Sequence, residues 1–206
     1  MFIEHADRWS PWLDLEYTES YRVARRYGWE LTVTGADPEV LVKSRYPALP
    51  YSGADLPLRG DRVIVLDPDA EEPLTPDEEP DVLVVGGILG DHPRRRRTRR
   101  LITPRFRGAE ARHLGEYHFS IDGAVRVALM VLEEGVRVEE IEVVERPEVE
   151  LGPGHSVRLH CDYPAEEGRP LLPPGLVEYL REGIVEYEEA ELRARGRGRD
   201  RVDDPD

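Results

Sequence analysis

Val82, Leu83, Val84 and Val85 run without a polar break into Gly86-Gly87-Ile88-Leu89-Gly90. A short apolar run rich in β-branched side chains suits a strand covered on both faces. The glycines after it either form a tight turn or let a ligand approach the backbone where no Cβ stands in the way. Open α/β sheets bind ligands beyond the carboxyl ends of their strands, which favours the second alternative. Asp91-His92-Pro93 follows, and arginine then fills six of the seven positions from 94 to 100.

The surrounding pattern places this strand in an α/β fold. Phe2–His5 and Val63–Leu66 read as further strands, with two more over residues 29–33 and 111–114. Ser10-Pro11 opens a helix that Gly28 ends, since serine caps and proline suits the first turn. A short helix fits Pro38–Lys43, and Ser120 caps a helix over Ile121–Glu134. Residues 69–80 are acidic and proline-rich, as in a surface loop. Strands are expected over 140–144 and 156–161, and a last helix from Leu176 to about Arg193. Apolar strands alternating with helices predict a mainly parallel sheet with helices on both faces. Residues 1–193 read as a single domain and 194–206 as a disordered tail.

Charge and composition narrow the function. The chain carries a net charge of −15, which repels bulk nucleic acid unless cations are concentrated locally. They are: nine arginines and one acid, Glu110, lie between positions 94 and 112, while Lys43 is the only lysine. Mutual repulsion should keep the arginine block extended unless a polyanion or an acidic neighbour offsets it. Cys161 is the only cysteine, which excludes an internal disulfide and a multi-cysteine zinc site. No apolar stretch approaches the ~20 residues of a membrane span. The first residues lack the basic start and apolar middle of a signal peptide, so a cytoplasmic protein is expected.

The glycines do not have dinucleotide-fingerprint spacing, and no Gly-Lys-Ser/Thr of a P-loop occurs. No serine or cysteine nucleophile sits in a strand-turn-helix context. No histidine pair has a recognised metal-ligand spacing, so no metal site is expected. Asp91 and His92 are either proton carriers or ordinary loop residues. A second glycine loop, from Leu114-Gly115-Glu116 through His118-Phe119-Ser120, also follows a strand and precedes a helix, so two loops could line one pocket.

Gly86-Gly87-Ile88-Leu89-Gly90-Asp91-His92-Pro93 with Arg97-Thr98 resembles the core motif of a SPOUT-class family of S-adenosylmethionine (SAM)-dependent methyltransferases. Often described as RNA methyltransferases, the family includes a ribosomal-protein arginine methyltransferase. Phe2-Ile3-Glu4-His5, Leu15-Glu16-Tyr17, Leu66-Asp67-Pro68, Arg112 with Leu114-Gly115, Asp122 with Ala124 and Arg126, and Leu172-Pro173 with Gly175 agree in order. The resemblance implies a trefoil knot in the C-terminal half and SAM held between the two loops. Gly86, Gly87, Ile88, Leu89 and Gly90 would form one wall, and Leu114, Gly115, Glu116, His118, Phe119 and Ser120 the other. Leu89, Leu114 and Phe119 would cover the adenine faces.

If the acceptor is an arginine of a ribosomal protein, a carboxylate must orient it, and Glu4, Glu16 and Asp91 are the candidates. If it is RNA, Asp91 or His92 would handle the proton. Arg94, Arg95, Arg96, Arg97, Arg99 and Arg100 would dock the substrate in either case, holding phosphates if it is RNA. A non-catalytic RNA-binding module is the reading from a different class. Such an enzyme would be a monomer or a homodimer.

Overall fold

The computed structural model describes residues 1–58, 61–90 and 95–183. The apolar run forms strand β4 (Val82–Gly87), which lies between β1 (Phe2–His5) and β3 (Val63–Leu66). β2 (Thr32–Thr34) and β5 (Glu110–Arg112) complete a sheet of order β2-β1-β4-β3-β5 in which every pairing is parallel. Central position explains the unbroken apolar sequence of β4, because neither face meets water. Register places Glu4 opposite Gly86 and His5 opposite Gly87.

Alternate side chains go to opposite faces. Ile3, Ile64, Leu66, Leu83 and Val85 join the larger core beneath helices α1 (Pro11–Arg26) and α4 (Ile121–Glu134). Val65 and Val84 face the other way, onto Ile102 and Phe106 beside the short helix α3 (Arg97–Leu101). The ends of these helices follow local chemistry. Ser10 accepts the Leu13 amide at 3.2 Å, and Ser120 accepts the Gly123 amide at 3.2 Å. Asp37 caps helix α2 (Pro38–Lys43) through the Val40 amide at 2.8 Å. Gly135 closes α4 at φ +71°.

The C-terminal region departs from the sequence expectation. A three-stranded antiparallel sheet joins β6 (Val143–Val144), β9 (Tyr163–Glu166) and β10 (Arg169–Pro170). A hairpin pairs β7 (Glu148–Gly152) with β8 (His155–Arg158). The strand expected over 156–161 therefore starts and ends earlier, and it pairs with β7, which no apolar run in the sequence marks. Half-exposed hairpins carry little apolar periodicity, which hides them from pattern reading. Likewise, the strand expected at 29–33 lies at Thr32–Thr34, and that at 111–114 lies at Glu110–Arg112. Helix α5 runs over Leu176–Glu178 and continues as a π-helical turn, Tyr179–Gly183. The remainder of the expected last helix and the tail lie outside the described residues. Here Leu176, Leu180, Val149, Leu159, Cys161 and Tyr163 form a second core, against which Trp12 and Leu15 of α1 pack.

Two glycines of the motif are explained by packing rather than by a ligand. A Cβ on Gly87 would overlap the Tyr17 hydroxyl and stand 3.0 Å from the Glu4 carbonyl oxygen. That hydroxyl donates to the Gly87 carbonyl at 3.3 Å and lies 2.8 Å from His5 Nδ1. A Cβ on Gly90 would overlap Cys161 Sγ. The C-terminal core therefore presses directly on the glycine segment.

Gly90→Ala should destabilise the protein by about 1–3 kcal/mol, the usual cost of overpacking, in urea denaturation. In a Cys161→Ala background, which removes the obstructing sulfur, the same change should cost much less. Equal losses in both backgrounds would show that the sulfur contact is not the cause.

Candidate functional site

The carboxyl ends of β3 and β4, the loop after β5 and the first turn of α4 enclose a cleft of about 560 Å³. Leu66, Val85, Ile88, Leu114, Phe119 and Ala124 give it apolar walls. Asp67, Thr98, Arg112, Tyr117, His118 and Ser120 supply polar groups. A second chamber of about 410 Å³ shares Pro68, Ile88, Thr98 and His118 with the cleft and adds Asp69, Leu89, Gly90 and Arg95–Arg97. Walls shared between apolar and polar side chains suit a flat heterocycle with polar edges, and the adjoining chamber offers space for a second reactant.

Most of the sequence-derived wall residues converge here. Gly86, Ile88, Leu114, His118, Phe119 and Ser120 line the cleft, and Leu89 and Gly90 line the chamber. Gly87 does not line either space; it is covered by Tyr17. Gly115 and Glu116 also lie off both linings, Gly115 making the turn at φ +80°. Loop 117–120 is held from behind. The His118 amide donates to Asp162 Oδ2 at 2.6 Å, and the Asp162 amide donates to the His118 carbonyl at 2.8 Å. Asp67, Pro68 and Arg112, which share the order of the sequence pattern, line the cleft as well.

Neither Glu4 nor Glu16 lines the cleft or the chamber. Glu4 is fully buried: its Oε2 accepts from Thr34 at 2.6 Å and from the Gly53 amide at 2.9 Å, and Arg105 pairs with Oε1 at 2.7 Å. Asp91, His92 and Arg94 lie outside the described residues.

The arginine block is not an extended strap. Among the described residues, acidic neighbours pair with three of its arginines, and part of it folds as α3. Arg97 pairs with Asp7 at 2.7 Å and donates to the Leu89 carbonyl at 3.3 Å, while Asp7 also accepts the Leu89 amide at 3.1 Å. Arg99 pairs with the buried Asp67 at 3.3 Å, and Arg96 meets Asp69 at 3.5 Å. Arg95 and Arg100 are exposed and have no ion pair among the described residues.

Glu16 and Asp122 form a buried acidic pair behind the first turn of α4. Glu16 accepts from Trp12 Nε1 at 2.8 Å and from the Ile121 amide at 3.0 Å. Burial and then the proximity of Asp122 push Glu16 from 4.5 up to about 8. Burial raises Asp122 as well, with Ser120 and Arg126 opposing the shift. A raised carboxyl binds its proton more tightly in the folded state, so stability falls as pH rises from about 4.5 to about 8. Glu16→Gln, neutral throughout, should flatten that decline in denaturation curves taken at pH 5, 6.5 and 8. Identical pH slopes for the two chains would refute the assignment.

Residues 1–187 match the family described as Protein arginine N-methyltransferase SFM1-like. Protein arginine N-methyltransferase SFM1 of Saccharomyces cerevisiae is 29% identical over 200 residues, covering 87% of this chain and 92% of the yeast protein. The crystal structure of the yeast arginine methyltransferase SFM1 complexed with SAM has a TM-score of 0.75 at 29% identity, over 88% of this chain and 89% of that one. Its complex with S-adenosylhomocysteine (SAH) gives 0.74 at 28%, over 87% and 93%. A dual-specific Trm10 of Thermococcus kodakaraensis shares the fold, with a TM-score of 0.56 at 22% identity over 68% of this chain and 95% of that one. The chain belongs to the SFM1-like family of protein arginine N-methyltransferases, in the SPOUT class whose motif residues 86–93 resemble.

Proposed function

We propose that the protein is a SAM-dependent N-methyltransferase whose acceptor is an arginine of a ribosomal protein. The observation that carries this reading is the pair of joined spaces at the carboxyl ends of β3 and β4. The cofactor's place is the 560 Å³ cleft, and the acceptor's is the chamber that meets it at Ile88, Thr98 and His118. The trefoil knot implied by the sequence resemblance and a single catalytic domain over 1–193 belong to the same proposal, as does the cytoplasm, where ribosomal proteins are met.

Bound in the cleft, SAM supplies an electrophilic methyl group on a sulfonium. The chain's own residues supply proximity and alignment, which dominate the catalysis of such a displacement. Leu114 and Phe119 would cover the adenine and exclude water, with Ile88 in the role expected of Leu89, which lines the chamber instead. Gly86 and Val85 form the floor. The Asp7–Arg97 clamp fixes both the amide and the carbonyl of Leu89, which holds the rim between the two spaces. The acceptor guanidinium stays charged, with a pKa above ~12, so a carboxylate in the chamber must orient it and accept its proton as the new bond forms. Asp91 and His92 stay candidates for that rim.

Docking of RNA phosphates is the weaker reading, because Arg96, Arg97 and Arg99 already neutralise acids of the chain. Arg95 and Arg100 remain to guide a macromolecule at the rim.

Calorimetry should detect SAM binding, and Gly86→Val, which places methyl groups in the cleft floor and against Thr98, should weaken it at least about tenfold. Undiminished affinity would remove the cofactor from this cleft. Tritiated SAM with ribosomal subunits should give label lost to protease and retained after nuclease. The opposite outcome would replace the protein acceptor with RNA.

A further inference from the structure

The chamber beside the cleft has one carboxylate among its described lining residues, Asp69. Asp69 comes from the loop that leaves β3, and its amide donates to Asp67 Oδ1 at 3.0 Å. Asp67 is itself fully buried and accepts from Thr103 at 2.7 Å and Arg99 at 3.3 Å. Asp69 therefore hangs from a fixed anchor, with its side chain 26% exposed towards the chamber. Its present partner is Arg96, 3.5 Å away and 77% exposed. Arg96 adopts the left-handed backbone conformation, φ 52° and ψ 39°, which L residues other than Asn and Asp rarely take. A long, exposed ion pair of this kind contributes little to stability. It is easily exchanged for a better one.

We propose that Asp69 is the carboxylate that receives the acceptor guanidinium, and that Arg96 is the chain's own placeholder for it when no acceptor is bound. This rests on the arginine-methyltransferase reading and specifies its acceptor site. The incoming group has the chemistry of the group it displaces. A guanidinium in the chamber can engage the carboxylate with two parallel N–H donors, which the single contact from Arg96 does not achieve. An acceptor lysine presents no such fork, so Asp69 selects arginine. As the N–C bond forms and the C–S bond breaks, sulfur keeps the electron pair. The methylated nitrogen sheds one proton, which Asp69 takes and passes to water through its exposed edge. Displaced Arg96 then swings to solvent, relieved of the constraint at the start of α3.

The test titrates acetyl-arginine methylamide into the SAH-saturated protein, followed by NMR, with the citrulline analogue as the uncharged control. Wild type should bind the arginine probe and not the citrulline one. Asp69→Asn should bind it at least tenfold more weakly, and Arg96→Ala severalfold more tightly. In turnover with ribosomal protein, Asp69→Asn should lower kcat by a hundredfold or more, and Arg96→Ala should lower KM for the acceptor. Unchanged probe binding in Asp69→Asn would overturn the proposal, as would equal binding of citrulline. Weaker binding in Arg96→Ala would make that residue a docking group, not a placeholder. Loss of SAH affinity in Asp69→Asn would assign the carboxylate to the cofactor and also overturn it. Failure of the underlying reading is seen separately, as absence of SAH binding or as label entering RNA.

Discussion

The carboxyl end of β4 has no room for side chains, and the candidate site is built around that constraint. Tyr17 of α1 occupies the space where a Cβ of Gly87 would sit, and Cys161 of the C-terminal core occupies that of Gly90. Three parts of the chain thus meet at one short backbone segment. Packing at this density leaves neighbours little freedom to shift. The position of Leu89 and Gly90, which line the chamber, is consequently fixed from two sides before any ligand arrives. Close approach of protein to protein, more than of ligand to backbone, is what these two glycines permit.

Charge follows a related logic. Glu4 and Asp67 are buried and each has a cationic partner, without which a buried carboxylate is strongly destabilising or, like Glu16, is pushed to hold its proton. Arg105 and Arg99 serve these two acids, Arg97 serves Asp7, and Arg112 pairs with Glu78 at 2.6 Å and with Glu110. The forked guanidinium makes several directed contacts from one side chain, which suits arginine to this role. The dense arginine segment is thereby a brace for the sheet's upper edge, with only part of it left to meet a partner.

Much of this was legible in the sequence. The buried strands Val63–Leu66 and β4 showed in their apolar runs, and the serine caps marked α1 and α4. The two cleft loops could be named because glycines after strands are local signals. Other features depend on distant partners. Nothing near Glu4 announces Arg105, and nothing near Gly90 announces Cys161. Glu16 reads in the sequence as a carboxylate for the acceptor, but its oxygens answer Trp12 and the start of α4, the latter a contact between residues 105 positions apart. Asp69 sat in what read as a plain acidic loop. Its value comes from Asp67, whose burial follows from the sheet order and not from its neighbours in sequence.

The doubled contact between His118 and Asp162 also sets a time order. Residue 162 leaves the ribosome long after the glycine motif, and until it arrives loop 117–120 lacks its support and Gly90 its covering sulfur. A chain interrupted before Cys161 carries the glycine motif of residues 86–93 yet no finished cleft. The cleft is complete only once Cys161 and Asp162 have joined it, so the glycine motif by itself, however recognisable, is not yet a binding site.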